Sequence, residues 1–237
     1  MNIALLLAGG SGNRTGQDIP KQFISVYEKP VIIYTLEAFE KHPDIDGIIV
    51  TCLEGWQDIL WSYAREAKIT KLKWIVEGGV NGQASTKHAL DALQDVCKPE
   101  DLLIIHDAVR PNISQEIISD AVAVCKKYGS AVAAIPCAET VIQTVDKKQG
   151  NVNVDRDSIM RIQTPHVFPY GKLVWAHAEA AKRGITGATT ASTLLIDLGE
   201  NIHFSIGSEK NLKITTAEDL EIFTALYKVK KEEWIKA

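Results

Sequence analysis

Residues 3–23 read IALLLAGGSGNRTGQDIPKQF. The apolar run Ile3–Ala8 stops abruptly at Gly9-Gly10. A glycine-rich loop follows that holds one arginine, Arg14, and closes on Pro20-Lys21. A short apolar run ending in glycines predicts a buried strand, and the loop behind it exposes backbone amides suited to phosphate. It is not a P-loop, which ends in Gly-Lys-Ser/Thr, because Lys21 follows a proline. Nor is it a full dinucleotide fingerprint: Thr15 occupies the place of the third glycine, and an arginine sits inside the loop. Amides flanked by two cations, Arg14 and Lys21, suit a triphosphate whose charge must be neutralised during attack. The alternative is that both cations only solvate the surface.

Working outward, short apolar runs alternate with helical patterns. Strands are predicted at Gly47–Cys52, Leu72–Val76, Leu102–His106 and Ala131–Ile135, with helices at Val31–Lys41, Gln57–Ala67, Ala84–Leu93 and Gln115–Lys127. Near-continuous apolar strands alternating with helices make an α/β fold, a Rossmann-like three-layer sandwich with a mostly parallel central sheet. Such sheets bind ligands beyond the carboxyl ends of their strands. From 138 to 163 the chain turns polar and reads as short strands around a Lys147–Asn151 turn, a projecting β-arm that could pair subunits. A helix is expected at Tyr170–Arg183, a strand at His203–Ile206, and a last helix capped by Thr215-Thr216 with Glu218. Residues 1–237 thus read as one domain carrying a dimerisation arm.

The bulk composition excludes several classes. The 237 residues are 46% hydrophobic and 24% charged, with a net charge of −4, enough for a real core and without the basic excess of a nucleic-acid binder. The basic cluster Lys228, Lys230 and Lys231 is interleaved with Glu232 and Glu233, as on a solvated helix face. Cys52, Cys97, Cys125 and Cys137 form no C-x-x-C pair, so reduced thiols in a cytoplasmic protein are expected and no zinc site. The first residues lack a signal peptide's basic region, and no run of eighteen apolar residues exists to span a membrane.

Four stretches follow strands and carry chemistry. In IHDAVRP, Ile105–Pro111, Asp107 ends a strand where a metal-binding carboxylate would sit and Arg110 follows; equally, Asp107 could cap the turn and pair with Arg110. His106 points the other way and reads as structural. In GGVNGQAST, Gly78–Thr86, two glycines end a strand and Ser85 opens a helix, either a ligand loop or an ordinary capped one. In NLKITT, Asn211–Thr216, Lys213 is a rim cation that either holds a second anion or snorkels. The glycine loop is the fourth.

Taken in order, A-G-G-x-G-x-R, P-K-Q, G-G…S, H-D-A-x-R-P, Q-T-P and N-x-K-I-T-T-x-E-D-L resemble the cytidylyltransferases that make CDP-linked alditols, for methylerythritol phosphate and ribitol phosphate. The resemblance runs from about residue 3 to 222. It implies that CMP passes from CTP to a small polyol phosphate, with pyrophosphate released and magnesium or another divalent cation as cofactor. It implies that Arg14, Lys21 and Lys213 are catalytic. Ala8, Gly9, Gly10, Gly12, Gly79, Ser85, Asp107 and Arg110 would surround the nucleotide, with Asp107 on the metal. Thr140, Arg156, Thr189 and Lys213 would hold the acceptor, Arg156 reaching from the arm into a partner subunit of a homodimer.

The chain also departs from that pattern. Gly82 stands where the family usually has arginine, Thr189-Thr190 where it has a Thr-Asp pair, Lys210 where aspartate is common, and Thr15 where methionine or leucine is usual. These changes gather around the nucleotide lid and the acceptor, so the acceptor preference should move with them. A ribitol-phosphate-like acceptor for a cell-surface polymer is the expectation. Methylerythritol phosphate of isoprenoid synthesis, another acceptor, and a nucleotide-binding homologue without activity are the alternatives. An NAD-dependent oxidoreductase is a rival from another class, disfavoured by Thr15 and the cation pair.

Overall fold

A computed structural model describes residues 1–10 and 19–235 of the chain, and their side chains through residue 229. Arg14, Gly12 and Thr15 therefore lie outside the described residues, as do the side chains of Lys230, Lys231, Glu232 and Glu233. In chain order the elements are β1 (Asn2–Ala8), β2 (Ser25–Val26), β3 (Lys29–Pro30), α1 (Val31–Lys41), β4 (Gly47–Cys52), α2 (Gln57–Glu66), β5 (Leu72–Glu77), α3 (Gly82–Ala92), β6 (Leu102–Asp107), α4 (Gln115–Tyr128) and β7 (Ala131–Pro136). They continue as β8 (Val141–Gln143), β9 (Val152–Val154), β10 (Met160–Pro169), α5 (Tyr170–Arg183), α6 (Ala191–Asp197), β11 (Phe204–Ile206) and α7 (Ala217–Ile235).

Seven strands form the central sheet in the order β11-β7-β10-β6-β1-β4-β5. All neighbouring pairs are parallel except those of β10, which runs antiparallel to β6 and to β7. The apolar strands bury both faces. Ala4, Leu6, Ile48 and Ile104 join a cluster with α1, α2 and α4, while Ile3, Leu5, Leu103 and Phe168 join one with α3, α5 and α6. From β1 the chain builds outward to β4 and β5 on one side, and β6 enters on the other. The strand order reverses between β1 and β6, and ligand crevices form at such switch points.

Two expectations are corrected, the first of them by β10. The arm's strand pair is β8 with β9, joined antiparallel from Val141↔Val154 to Gln143↔Val152, but Met160–Gln163 already belong to the central sheet. The polarity that set this stretch apart from the core is absorbed inside it. Gln163, Thr164 and His166 are buried, and Gln163 exchanges hydrogen bonds with the main chain of Ser208 at 2.9 and 3.1 Å. The second correction is the helix caps. Asn81, whose side chain accepts from the Ala84 amide at 2.9 Å, caps α3, so Ser85 lies inside that helix instead of opening it. At α7, Thr216 is answered by Asp219, not Glu218: the Asp219 amide donates to the Thr216 hydroxyl at 3.3 Å, and the Thr216 amide donates to the Asp219 carboxylate at 2.8 Å. All four cysteines are buried and unpaired. Among the described residues no helix is long and apolar enough to cross a membrane.

Candidate active site

Beyond the end of β1 the backbone comes very close to its neighbours. A Cβ placed on Gly9 would meet the Gly78 Cα at 3.1 Å, and one on Gly78 would meet the Gly9 Cα at 2.8 Å. Gly79 is tighter still, with Ala84 Cβ at 2.4 Å and the Ser85 amide nitrogen at 2.7 Å from such an atom. Ser85 accepts from the Gly79 amide at 2.9 Å, which fixes this approach. Gly9, Gly79 and Ser85, three residues expected around the nucleotide, thus stand together. Gly79→Ala is expected to lower stability by about 1–3 kcal/mol in urea unfolding, the cost of forcing a methyl into a filled space. Gly10→Ala, whose methyl meets nothing within 4 Å among the described residues, should leave stability unchanged.

Gln22 fastens its own turn to the end of β1. It is buried, and its amide donates to the Ala8 carbonyl at 2.8 Å and the Gly10 carbonyl at 3.0 Å. Its neighbour Phe23 packs in the core and stacks on Trp56 at 4.4 Å between ring centres. Lys21, half-buried on the same short 3-10 turn, is therefore anchored from one side. Its charge also reaches the start of α7. Burial would raise the Asp219 carboxyl, but hydrogen bonds from the Thr216 and Thr215 amides and the Thr216 hydroxyl, with Lys21 nearby, hold it below its usual range.

At the end of β6, Asp107 receives two cations. Arg110 Nε donates to Oδ2 at 3.0 Å, and Lys213 Nζ donates to Oδ1 at 2.8 Å. Burial would raise this carboxyl, but Lys213 and Arg110 outweigh it and hold it well below the usual carboxylate range. Asn211 sets Lys213 in place: its carbonyl accepts from Arg110 Nη1 at 2.7 Å, and its side-chain amide donates to the Thr164 carbonyl at 2.8 Å. The pairing of Asp107 with Arg110, the alternative to a metal-binding role, is thus observed, and Lys213, read as a rim cation, joins the same cluster. His106 is structural as read, packed against Phe39 and hydrogen-bonded to Thr164 Oγ1 at 2.9 Å.

This cluster borders a cavity of about 500 Å³ on the α3, α5 and α6 side of the sheet. Leu7, Ile105 and His166 line it from the strands, Gly82 and Thr86 from α3, and Thr189, Thr190, Ser192 and Thr193 from the start of α6. Thr190 and Thr193 cap that short helix reciprocally, so the place of the missing acidic residue is taken by a hydroxyl that organises the backbone. Gly82 allows close approach: a Cβ there would meet the Thr189 carbonyl oxygen at 3.1 Å. Thr140 and Arg156 are exposed at the arm and do not line the cavity; Arg156 Nη1 donates to the Ala138 carbonyl at 3.0 Å. A larger open cleft of about 670 Å³ between α1 and α4 carries none of the expected site residues.

Gln22, Asn211, Thr164 and His166 are site residues that sequence reasoning left without a role. The signal was available for three of them, since Gln22, Thr164 and Asn211 lie inside the quoted motifs.

Four buried histidines make stability depend on pH, and burial lowers His42 along with the three that follow. Burial pushes His106 down to about 3, and His166 and His177 down to about 4. The unfolded chain then binds more protons than the folded one once pH falls below about 6.5, so stability is lost as pH drops from there toward about 4. Each histidine contributes up to about 1.4 kcal/mol per pH unit in that window. Urea titrations at pH 7 and pH 5 should show this loss, and equal midpoints would contradict it.

Comparison with known proteins defines the class and then the family. A solved 2-C-methyl-D-erythritol 4-phosphate cytidylyltransferase from Francisella tularensis superposes with a TM-score of 0.78 at 28% identity, over 94% of this chain and 98% of that one, which makes the fold that of a nucleotidyltransferase. The family model for 2-C-methyl-D-erythritol 4-phosphate cytidylyltransferase (IspD) matches residues 2–228, and the chain belongs to this family. A ribitol-5-phosphate cytidylyltransferase of Lacticaseibacillus paracasei is 41% identical over 98% of this chain and 100% of its own length. A 2-C-methyl-D-erythritol 4-phosphate cytidylyltransferase of Clostridium tetani is 37% identical over 92% of this chain and 87% of its own.

Proposed function

We propose that this enzyme transfers CMP from CTP to ribitol 5-phosphate and releases pyrophosphate. The observation that carries the reading is the Asp107–Arg110–Lys213 cluster, set between the glycine bracket after β1 and a hydroxyl-rich cavity. An acceptor phosphate oxygen attacks the α-phosphorus of CTP. The bond from that phosphorus to the bridging oxygen breaks, and its electron pair leaves with pyrophosphate. A phosphate dianion is already a nucleophile, so the protein supplies position and charge instead of a covalent intermediate. Arg14 and Lys21 stabilise the charge growing on the α-phosphoryl oxygens, Gly9, Gly79 and Ser85 hold the cytidine, and Lys213 draws in the acceptor phosphate.

Asp107 suits a divalent cation with a preference for oxygen, because its carboxylate is held ionised at the cavity edge. Among the described residues no three His, Cys, Asp or Glu side chains gather to hold a metal, so magnesium bound at Asp107 would complete its shell with water and nucleotide phosphates. When bound, it would neutralise charge on the triphosphate. Ribitol 5-phosphate is favoured as acceptor by the relatives of that name at 34% and 41% identity and by the carboxylate-free cavity wall at Thr189–Thr193. Methylerythritol phosphate is the second reading, supported by the family model and by the Clostridium tetani relative.

We place the reaction in the cytoplasm and the enzyme in a homodimer paired through its arm, where Val145 is fully exposed and Ile142 and Val152 are about half so. Thr140 and Arg156 would then serve the partner's acceptor site. Ligand-dependent melting tests the nucleotide. CTP with magnesium at about 100 times its Kd should stabilise the fold by about 2.7 kcal/mol, and NAD should not. Stabilisation by NAD alone would overturn the reading.

A further inference from the structure

His166 lines the cavity beside the Asp107 cluster and is 1% exposed, yet its Nε2 has no hydrogen-bond partner among the described residues. Buried polar atoms are normally paired, and an orphan facing a binding cavity is the kind of exception a ligand explains. The strand places it firmly. His166 pairs in register with Ile105 of β6 and Val132 of β7, both buried on the same face. Because Nε2 is unpartnered, the hydrogen bond by which the Gln163 main chain raises the ring's proton affinity is assigned to Nδ1.

A neutral imidazole that donates through Nδ1 to a carbonyl offers only a lone pair at Nε2. Burial, with Arg110 and Lys213 nearby, keeps the ring neutral near pH 7 against the opposing pull of Asp107 and the Gln163 main chain. A lone pair cannot accept from a phosphate dianion, which has no hydrogen to give. It can accept from an O–H. The wall opposite is built of Thr189 and the hydroxyls at the start of α6, and the mutual hydrogen bonds of Thr190 with Ser192 and Thr193 engage those three.

We propose that His166 accepts a hydrogen bond from a hydroxyl on the carbon chain of the acceptor, and so selects polyol phosphates over phosphates of less hydroxylated chains. The inference rests on the polyol-phosphate reading given above. In this role His166 is a specificity residue: Lys213 takes the phosphate end, and His166 checks the chain behind it.

The test compares His166→Leu, which removes the acceptor atom, with His166→Gln, which restores an acceptor oxygen at similar reach. Initial rates of pyrophosphate release are measured with ribitol 5-phosphate and with n-pentyl phosphate, a chain of equal length lacking the hydroxyls. For His166→Leu, kcat/KM with ribitol 5-phosphate should fall about 10-fold or more while KM for CTP stays unchanged, and the preference over n-pentyl phosphate should shrink by the same factor. His166→Gln should recover most of that loss, an outcome a purely structural role would not give. His166→Asn, too short to reach, replaces the leucine variant if that one does not fold. Unchanged ribitol 5-phosphate kinetics in His166→Leu, or KM values for CTP and acceptor rising together, would overturn the inference and leave the proposed function standing. If the wild-type enzyme turns over no polyol phosphate, both fall.

Discussion

Lys21→Ala lowers turnover at least ~100-fold and leaves the fold intact, the scale of removing one preorganised group that stabilises transition-state charge. The fold should survive because the turn that carries Lys21 has two other anchors. Gln22 donates to the Ala8 and Gly10 carbonyls, and Phe23 is buried in the core. The loss should appear in kcat more than in KM for CTP, since the charge that Lys21 meets develops as the α-phosphorus is attacked. The rate is read by pyrophosphate release and the fold by melting temperature. An unchanged rate removes Lys21 from the chemistry.

Asp107→Asn has two separable effects. The first is on stability. The carboxylate is mostly buried between Arg110 and Lys213, and the isosteric amide leaves both cations without their counter-charge. Breaking the buried contact with Arg110 should cost about 3 kcal/mol. Lys213 adds little, because its side chain is 42% exposed and water screens it. The second effect is on the metal. With its one hard carboxylate gone, the magnesium concentration for half-maximal rate should rise at least ~10-fold, beyond what weaker folding explains. An unchanged magnesium dependence in a folded variant would show that Asp107 serves the cluster and not the cation.

The parallel half of the sheet was readable because those strands are buried on both faces and must be apolar: LLIIH, GIIVTC and AVAAI could scarcely be anything else. The antiparallel strand was not, because MRIQTPHVFP carries a glutamine, a threonine, two prolines and a histidine, and its Gln163 side chain and Thr164 carbonyl are satisfied by the Ser208–Asn211 loop, far away in sequence. Seven-residue α6 has too few turns for a periodic signal, and its cap is a Thr190–Thr193 pair that reads as loop. The site divides in the same way. Asp107, Arg110 and Lys213 announced themselves as charges at strand ends. Gln22 and His166 did not, because a buried polar residue looks like an error in an apolar pattern until its partners, or the lack of one, are seen.

The proposed reaction is a transfer from CTP to a polyol phosphate. It is tested most directly by pyrophosphate release from CTP and magnesium against ribitol 5-phosphate, methylerythritol 4-phosphate and glycerol 3-phosphate, with UTP and ATP as alternative nucleotides. Release should depend on both CTP and an acceptor, with the highest kcat/KM for ribitol 5-phosphate. Turnover only with UTP or ATP, or CTP binding with no release across the acceptors, would contradict it.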